Sequence, residues 1–110
     1  MSEYFPDAES RKYKQLVEGI KARTFWKDRI MLALVDLDPN AVLPYHHHPH
    51  EQAGVVLEGE MTLTVGEETK LVRPGDLYMI PGDVPHSAKV GAMPTRLLDI
   101  FSPVREEYKE

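Results

Sequence analysis

Apolar and turn-forming residues alternate in blocks along most of this chain. ARTFWKDRIMLALVDLD carries an apolar run from Ile30 to Leu37, interrupted by Asp36, and Pro39-Asn40 closes it. AVLPYHHH, EQAGVVLEG, MTLTVG, TKLVRPG, DLYMIPGD, VPHSAKV and TRLLDIFSP follow. Each is four to nine residues long, is bounded by Gly, Pro, Asp or Asn, and recurs at a spacing of about ten residues. Short strands at that spacing predict an all-β sandwich or barrel. No part of this region sustains the 3.6-residue period of a helical bundle.

The two-residue period of a strand assigns faces. Met61, Leu63 and Val65 share one face, and Thr62 and Thr64 the other. Leu97, Asp99 and Phe101 share a face opposite Leu98 and Ile100. Asp99 is therefore flanked on its own face by apolar neighbours. It is either an outward acid on a covered surface or an acid inside the barrel.

The first 14 or so residues are polar and contain Pro6, which reads as a frayed arm or a short helical piece. QLVEGIK, residues 15–21, fits a turn or a strand start. The organisation expected is an N-terminal arm over 1–22 and a single β-barrel domain over 23–110. The last segment, PVREEYKE, is a charged tail with Tyr108 as a possible anchor.

Composition narrows the class. A chain of 110 residues is one domain by length and long enough to build a core unaided. Cysteine is absent, which excludes disulfides, thiolate metal sites and a cysteine nucleophile, and fits a reducing, cytoplasmic setting. The acidic, polar N-terminus does not resemble a signal peptide. No apolar run reaches the ~18 residues of a membrane span. A net charge of -5 with scattered lysines and arginines argues against nucleic acid as a partner.

Four of the five histidines lie between His46 and His50. In an extended segment His46 and His48 point to one side and His47 to the other, so the first two can share an ion about 2 Å from each nitrogen. A polar loop is the competing reading for the cluster alone. His47 and His50 fit the outside or the turn. Gln52 offers an oxygen as a third ligand, with Glu51 on the opposite parity and His50 as alternatives. The fifth histidine, His86, follows the Pro81-Gly82-Asp83 turn, which fixes its position by backbone chemistry. An HxH pair, a tight turn and a distant histidine together point to a metal site.

These residues resemble a small single-domain cupin over roughly residues 28–105. The first cupin motif is matched by His46-x-His48, three residues, Gln52, six residues and Gly59; the second by Gly75, five residues, Pro81-x-Asp83, two residues and His86. Fifteen residues separate the motifs. Asn40 and Asp83 stand where the motifs carry glycine, and Asn tolerates left-handed turns, with Asp83 taken on the same logic. Val90 replaces a closing Asn. Gln52 replaces the usual Glu and removes a negative charge from the metal shell. HPHEQ together with DIFSPVREEY is similar to the KdgF-type cupins of pectin and alginate breakdown, which open the ring of 4,5-unsaturated uronates.

The resemblance implies a double-stranded β-helix (jelly-roll) barrel with one divalent transition metal, Ni, Mn, Fe, Zn or Co, held by His46, His48, Gln52 and His86. It implies a Lewis-acid isomerase in which Asp99 is general acid/base and Arg105 pairs with a substrate carboxylate. Tyr45, Tyr78, Phe101, Trp26 and Met31 are candidates for the pocket wall. The substrate class implied is a small anionic sugar or other carboxylate. An oxygen-using Mn/Fe cupin of dioxygenase type and a non-enzymatic binding cupin are the alternatives. The apolar run Phe25–Leu37 and the exposed edges of a short barrel lead to a homodimer as the expected state.

Overall fold

A computed structural model describes residues 4–109. The strands are β1 (Lys14–Val17), β2 (Ile20–Trp26), β3 (Met31–Leu37), β4 (Val42–His46), β5 (Glu51–Glu58), β6 (Met61–Val65), β7 (Glu68–Val72), β8 (Leu77–Ile80), β9 (His86–Val90) and β10 (Thr95–Ser102). One-turn 3-10 helices occupy Ala8–Ser10 and Glu106–Tyr108. Two antiparallel sheets face each other. The larger has the order β1-β2-β3-β10-β5-β8, the smaller β4-β9-β6-β7. The all-β jelly-roll expectation holds. Among the described residues, no helix is long and apolar enough to cross a membrane.

The faces follow the alternation of the sequence. β2, β3 and β10 bury every second residue. The inward set includes Ile20, Ala22, Met31, Val35, Leu37, Leu97 and Phe101 from the larger sheet, and Met61, Leu63, Ala88 and Val90 from the smaller. Asp99 shares this inner face and is 7 % exposed. The apolar run of β3 is thus two half-rows: Met31, Ala33 and Val35 inside, Leu32 and Leu34 outside.

Residues 15–21 form more than a strand start. β1 and β2 make a hairpin at the edge of the larger sheet, with Lys14 opposite Ala22. Residue 22, the expected end of the arm, is the third residue of β2. Of that arm, residues 1–3 lie outside the described residues.

The turns use the chemistry the motifs imply. Asn40 and Asp83, standing where the motifs carry glycine, both adopt left-handed φ, 63° and 64°. Short polar side chains that tolerate this region keep the turn without glycine.

The outer face of the larger sheet carries two largely apolar rows. Cross-strand pairing aligns Phe25, Leu32, Ile100, Ala53 and Met79 in one row. The next row holds Arg23, Leu34, Leu98, Val55 and Leu77. Leu77 and Met79, on edge strand β8, are 75 % and 80 % exposed. A charged row, Lys21, Asp36, Arg96 and Glu58, bounds the patch.

Candidate metal centre and its cavity

The two sheets meet around three histidines. His46 ends β4 and His86 opens β9, and the two are direct cross-strand partners. His48 lies two residues beyond His46, in the loop before β5. One ring nitrogen from each of the three lies within 4.8 Å of the others. His48 and His86 are buried, and His46 is half-buried.

Backbone carbonyls orient all three rings. His46 Nδ1 lies 2.8 Å from the Pro44 carbonyl, His86 Nδ1 2.9 Å from that of Val84, and His48 Nδ1 3.0 Å from that of His50. A carbonyl only accepts, so each Nδ1 carries the proton and each Nε2 presents a lone pair. Burial, with the neighbouring histidines and Arg105 adding to it, pushes His86 down to about 4. Burial, followed by Arg105, also lowers His48. Both rings are therefore neutral near pH 7 and ready to ligate.

Two observations fit a cation here. His86 Nε2 is buried without a hydrogen-bond partner. His48 Nε2 faces Gln52 Oε1 at 3.1 Å. With the His48 proton committed to His50, that contact sets one lone pair against another, and a positive ion among these atoms removes the conflict. Three imidazole nitrogens and one amide oxygen are a donor set suited to a divalent transition ion. The parity of β5 turns Gln52 to the inner face and Glu51 outward. His50 is outside the three-ring cluster and supplies its carbonyl to His48. His47 points away, 3.9 Å from exposed Asp83.

Beside the histidines lies a cavity of about 50 Å³, lined among others by His46, Gln52, Tyr78, His86, Asp99 and Phe101. Arg105 and Tyr108, from the tail, and Leu16, from β1, complete the wall. The volume corresponds to a few water molecules. Burial raises Asp99 to about 6, against the hydrogen bonds from Tyr78 and Gln52 and the Arg105 charge, which hold it down. The Tyr78 hydroxyl donates to Asp99 Oδ1 at 2.5 Å. Arg105 is 8 % exposed. Its guanidinium lies 3.8 Å from the Tyr108 ring centre and 5.0 Å from that of Phe101, and is paired with Glu107 at 3.1 Å.

Most of the sequence-derived site residues converge here, but three aromatic and apolar candidates do not. Tyr45 precedes His46 on β4, so the pleat turns it outward, where its hydroxyl donates to the Gly66 carbonyl at 2.9 Å. Trp26 ends β2 away from the cavity wall, against Arg11 and Lys109 at 4.5 and 5.4 Å. Met31 is wholly buried in the core and does not line the cavity. Tyr108 was identifiable only as an anchor. Its place under Arg105 depends on the tail folding back, held by the Thr24 hydroxyl donating to the Tyr108 carbonyl at 2.8 Å.

A two-sheet barrel with a histidine triad at its inner face defines the class, and the chain belongs to the cupin family: the cupin domain model matches residues 33–101. Among characterised relatives, it is 29 % identical over 110 residues to the pectin degradation protein KdgF of Dickeya dadantii, covering 98 % of this chain and 99 % of that one. An RmlC-like cupin from Shewanella frigidimarina superposes with a TM-score of 0.89 at 30 % identity, covering 97 % and 96 % of the two chains. KdgF from a Halomonas species superposes with a TM-score of 0.83 at 26 % identity, covering 90 % and 92 %.

Proposed function

We propose that this cupin is a metal-dependent isomerase that opens the ring of 4,5-unsaturated uronates or a similar small carboxylated sugar. The observation that carries the reading is one buried carboxyl, Asp99, in the same cavity as His46, Gln52, His86 and Arg105. The similarity to KdgF over nearly the whole chain supports the same reaction class.

His46, His48, Gln52 and His86 would hold the ion. When bound, it supplies Lewis acidity at substrate oxygens, and the neutral ligand set leaves its charge undiminished. Asp99 takes the proton of the anomeric hydroxyl as the bond from the anomeric carbon to the ring oxygen breaks. The anomeric carbon becomes an aldehyde, and the ring oxygen keeps the electron pair as an enolate. Asp99 then returns the proton to the enolate carbon, leaving a ketone. The step is an isomerisation and needs no co-reactant. An acid near neutrality suits both transfers. Arg105, its guanidinium 3.8 Å from the Tyr108 ring centre, pairs with the substrate carboxylate. A sugar exceeds the cavity's room for a few waters, so it must bind across the mouth or displace part of the wall.

The test is loss of ultraviolet absorbance when metal-loaded protein meets freshly lyase-generated 4,5-unsaturated uronate monomer. The background is the same metal without protein. A rate well above background that collapses in Asp99→Asn is expected. No excess over background overturns the isomerase reading and leaves the cupin metal centre standing.

We infer a homodimer through the outer face of the larger sheet. The five strands that carry these rows, about 4.8 Å apart and up to about seven residues long at ~3.3 Å each, span roughly 19 by 23 Å. That plane, roughly 440 Å², is about half of the ~800 Å² per partner of a standard interface before side-chain relief is counted. Two largely apolar rows with a charged row along one side suit a second copy of the same surface.

A further inference from the structure

Asp99, Gly54 and Tyr78 occupy one cross-strand row: Asp99 pairs with Gly54, and Gly54 with Tyr78. The outer two stand two strands apart, roughly 10 Å between backbones. An ordinary side chain on the middle strand would separate them. Gly54 leaves the space open, and the tyrosine lies across it. A Cβ at Gly54 would stand 2.3–2.4 Å from the Tyr78 ring and hydroxyl. Gly54 is not in the left-handed region, so space and not backbone conformation requires glycine here. The result is a buried hydroxyl delivered to Asp99 Oδ1.

Gln52 lies diagonally across from Asp99 on the inner face of β5 and β10, lines the same cavity, and is among the groups that hold the Asp99 carboxyl down. Gln52 Oε1 is turned to the histidines, 3.1 Å from His48 Nε2, and because a carboxylate only accepts, the N–H₂ is the end of the amide suited to Asp99. An amide is ambivalent, because a half-turn presents nitrogen in place of oxygen. Only oxygen offers a ligand lone pair.

We propose that Tyr78 is a positioning residue for the metal centre: by holding Asp99 across Gly54, it keeps the Gln52 amide oxygen facing the ion. Among the described residues, Tyr78 hydrogen-bonds Asp99 and none of the histidines, and it acts through two side chains. This assigns its hydroxyl a task other than the substrate wall. The inference rests on His46, His48, Gln52 and His86 being the ligands.

Co²⁺ titration of the chelator-treated protein, followed by visible absorption, tests it. Removing an outer-shell partner of a ligand typically costs 10–100-fold in metal affinity. Tyr78→Phe is expected to weaken Co²⁺ binding about tenfold or more and to change its ligand-field bands. Gly54→Ala, which keeps the hydroxyl but displaces the ring, is expected to act in the same direction. Val90→Ala, in the core of the other sheet, controls for general loosening. Tyr78→Phe with wild-type affinity and bands overturns the proposal alone. So does a Val90→Ala effect equal to that of Tyr78→Phe. A wild-type protein that takes up no Co²⁺ overturns the metal centre and this proposal together.

Discussion

Arg96 and Asp36, sixty residues apart in sequence, face each other across β10 and β3 and form a two-pronged ion pair at 2.8 and 3.3 Å. The Tyr13 hydroxyl donates to the same carboxylate at 2.8 Å and so ties the N-terminal segment to the sheet. Burial acts to raise Asp36, but the bonds from Arg96 and Tyr13 outweigh it, and the net direction is down from 3.8. A carboxyl depressed on folding contributes stability above its unfolded value and loses it as pH falls through the folded one. The guanidinium is over a third exposed, so solvent screening limits the pair to about 0.5–1 kcal/mol. Arg96→Ala should cost that much near pH 7. The gap from wild type should close as the pH falls below 3.8, as read by urea melts across pH.

Metal should stabilise the folded chain. An ion at a hundred times its Kd adds about 2.7 kcal/mol. For a domain of this size, that raises Tm on the order of 10 °C. His86→Ala removes the ligand whose Nε2 is buried and unpartnered. It should abolish the shift for Ni²⁺, Co²⁺ and Zn²⁺ in thermal melts and lower bound metal by elemental analysis. A chelator should reverse the shift in wild type only.

Arg105→Lys keeps the charge but loses the planar guanidinium that lies 3.8 Å from the Tyr108 ring centre and 5.0 Å from that of Phe101. Under the ring-opening reading, KM for the unsaturated uronate should rise about tenfold, equivalent to ~1.4 kcal/mol, with a smaller fall in kcat. Steady-state kinetics separates the two. An unchanged KM removes Arg105 from substrate binding.

The apolar rows on the outer sheet face predict oligomeric state. Leu77→Lys with Met79→Glu places charges at the two most exposed positions of the patch. Wild type should sediment as a dimer and the double variant as a folded monomer. A monomeric wild type at tens of micromolar would leave the face without this partner.

The site could be read from the sequence where its geometry is local. The i, i+2 spacing of His46 and His48 put both on one side, and the turn at Asp83 delivered His86. Parity set Gln52 and Glu51 on opposite faces and put Asp99 among apolar neighbours, and the fold then turned Gln52 and Asp99 inward. Tyr45 obeys the same rule: one residue before His46 on β4, it faces away. The β1 hairpin and the folded tail were not legible, because LVEGIK is two short apolar pieces broken at Glu18-Gly19 and REEYKE has a single apolar ring, and neither pattern declares a partner.

What the sequence determined by itself is periodicity and turn chemistry, because both depend on a few consecutive residues: the all-β class, the inner and outer faces, the left-handed turns and the histidine pair. Strand neighbours were decided only in the tertiary structure. β10 lies between β3 and β5, and β8 lies beyond β5. That order sets Arg96 against Asp36, aligns the apolar rows and places Gly54 between Tyr78 and Asp99. No local pattern encodes those meetings, because the free energy of sheet order comes from burying two whole faces together.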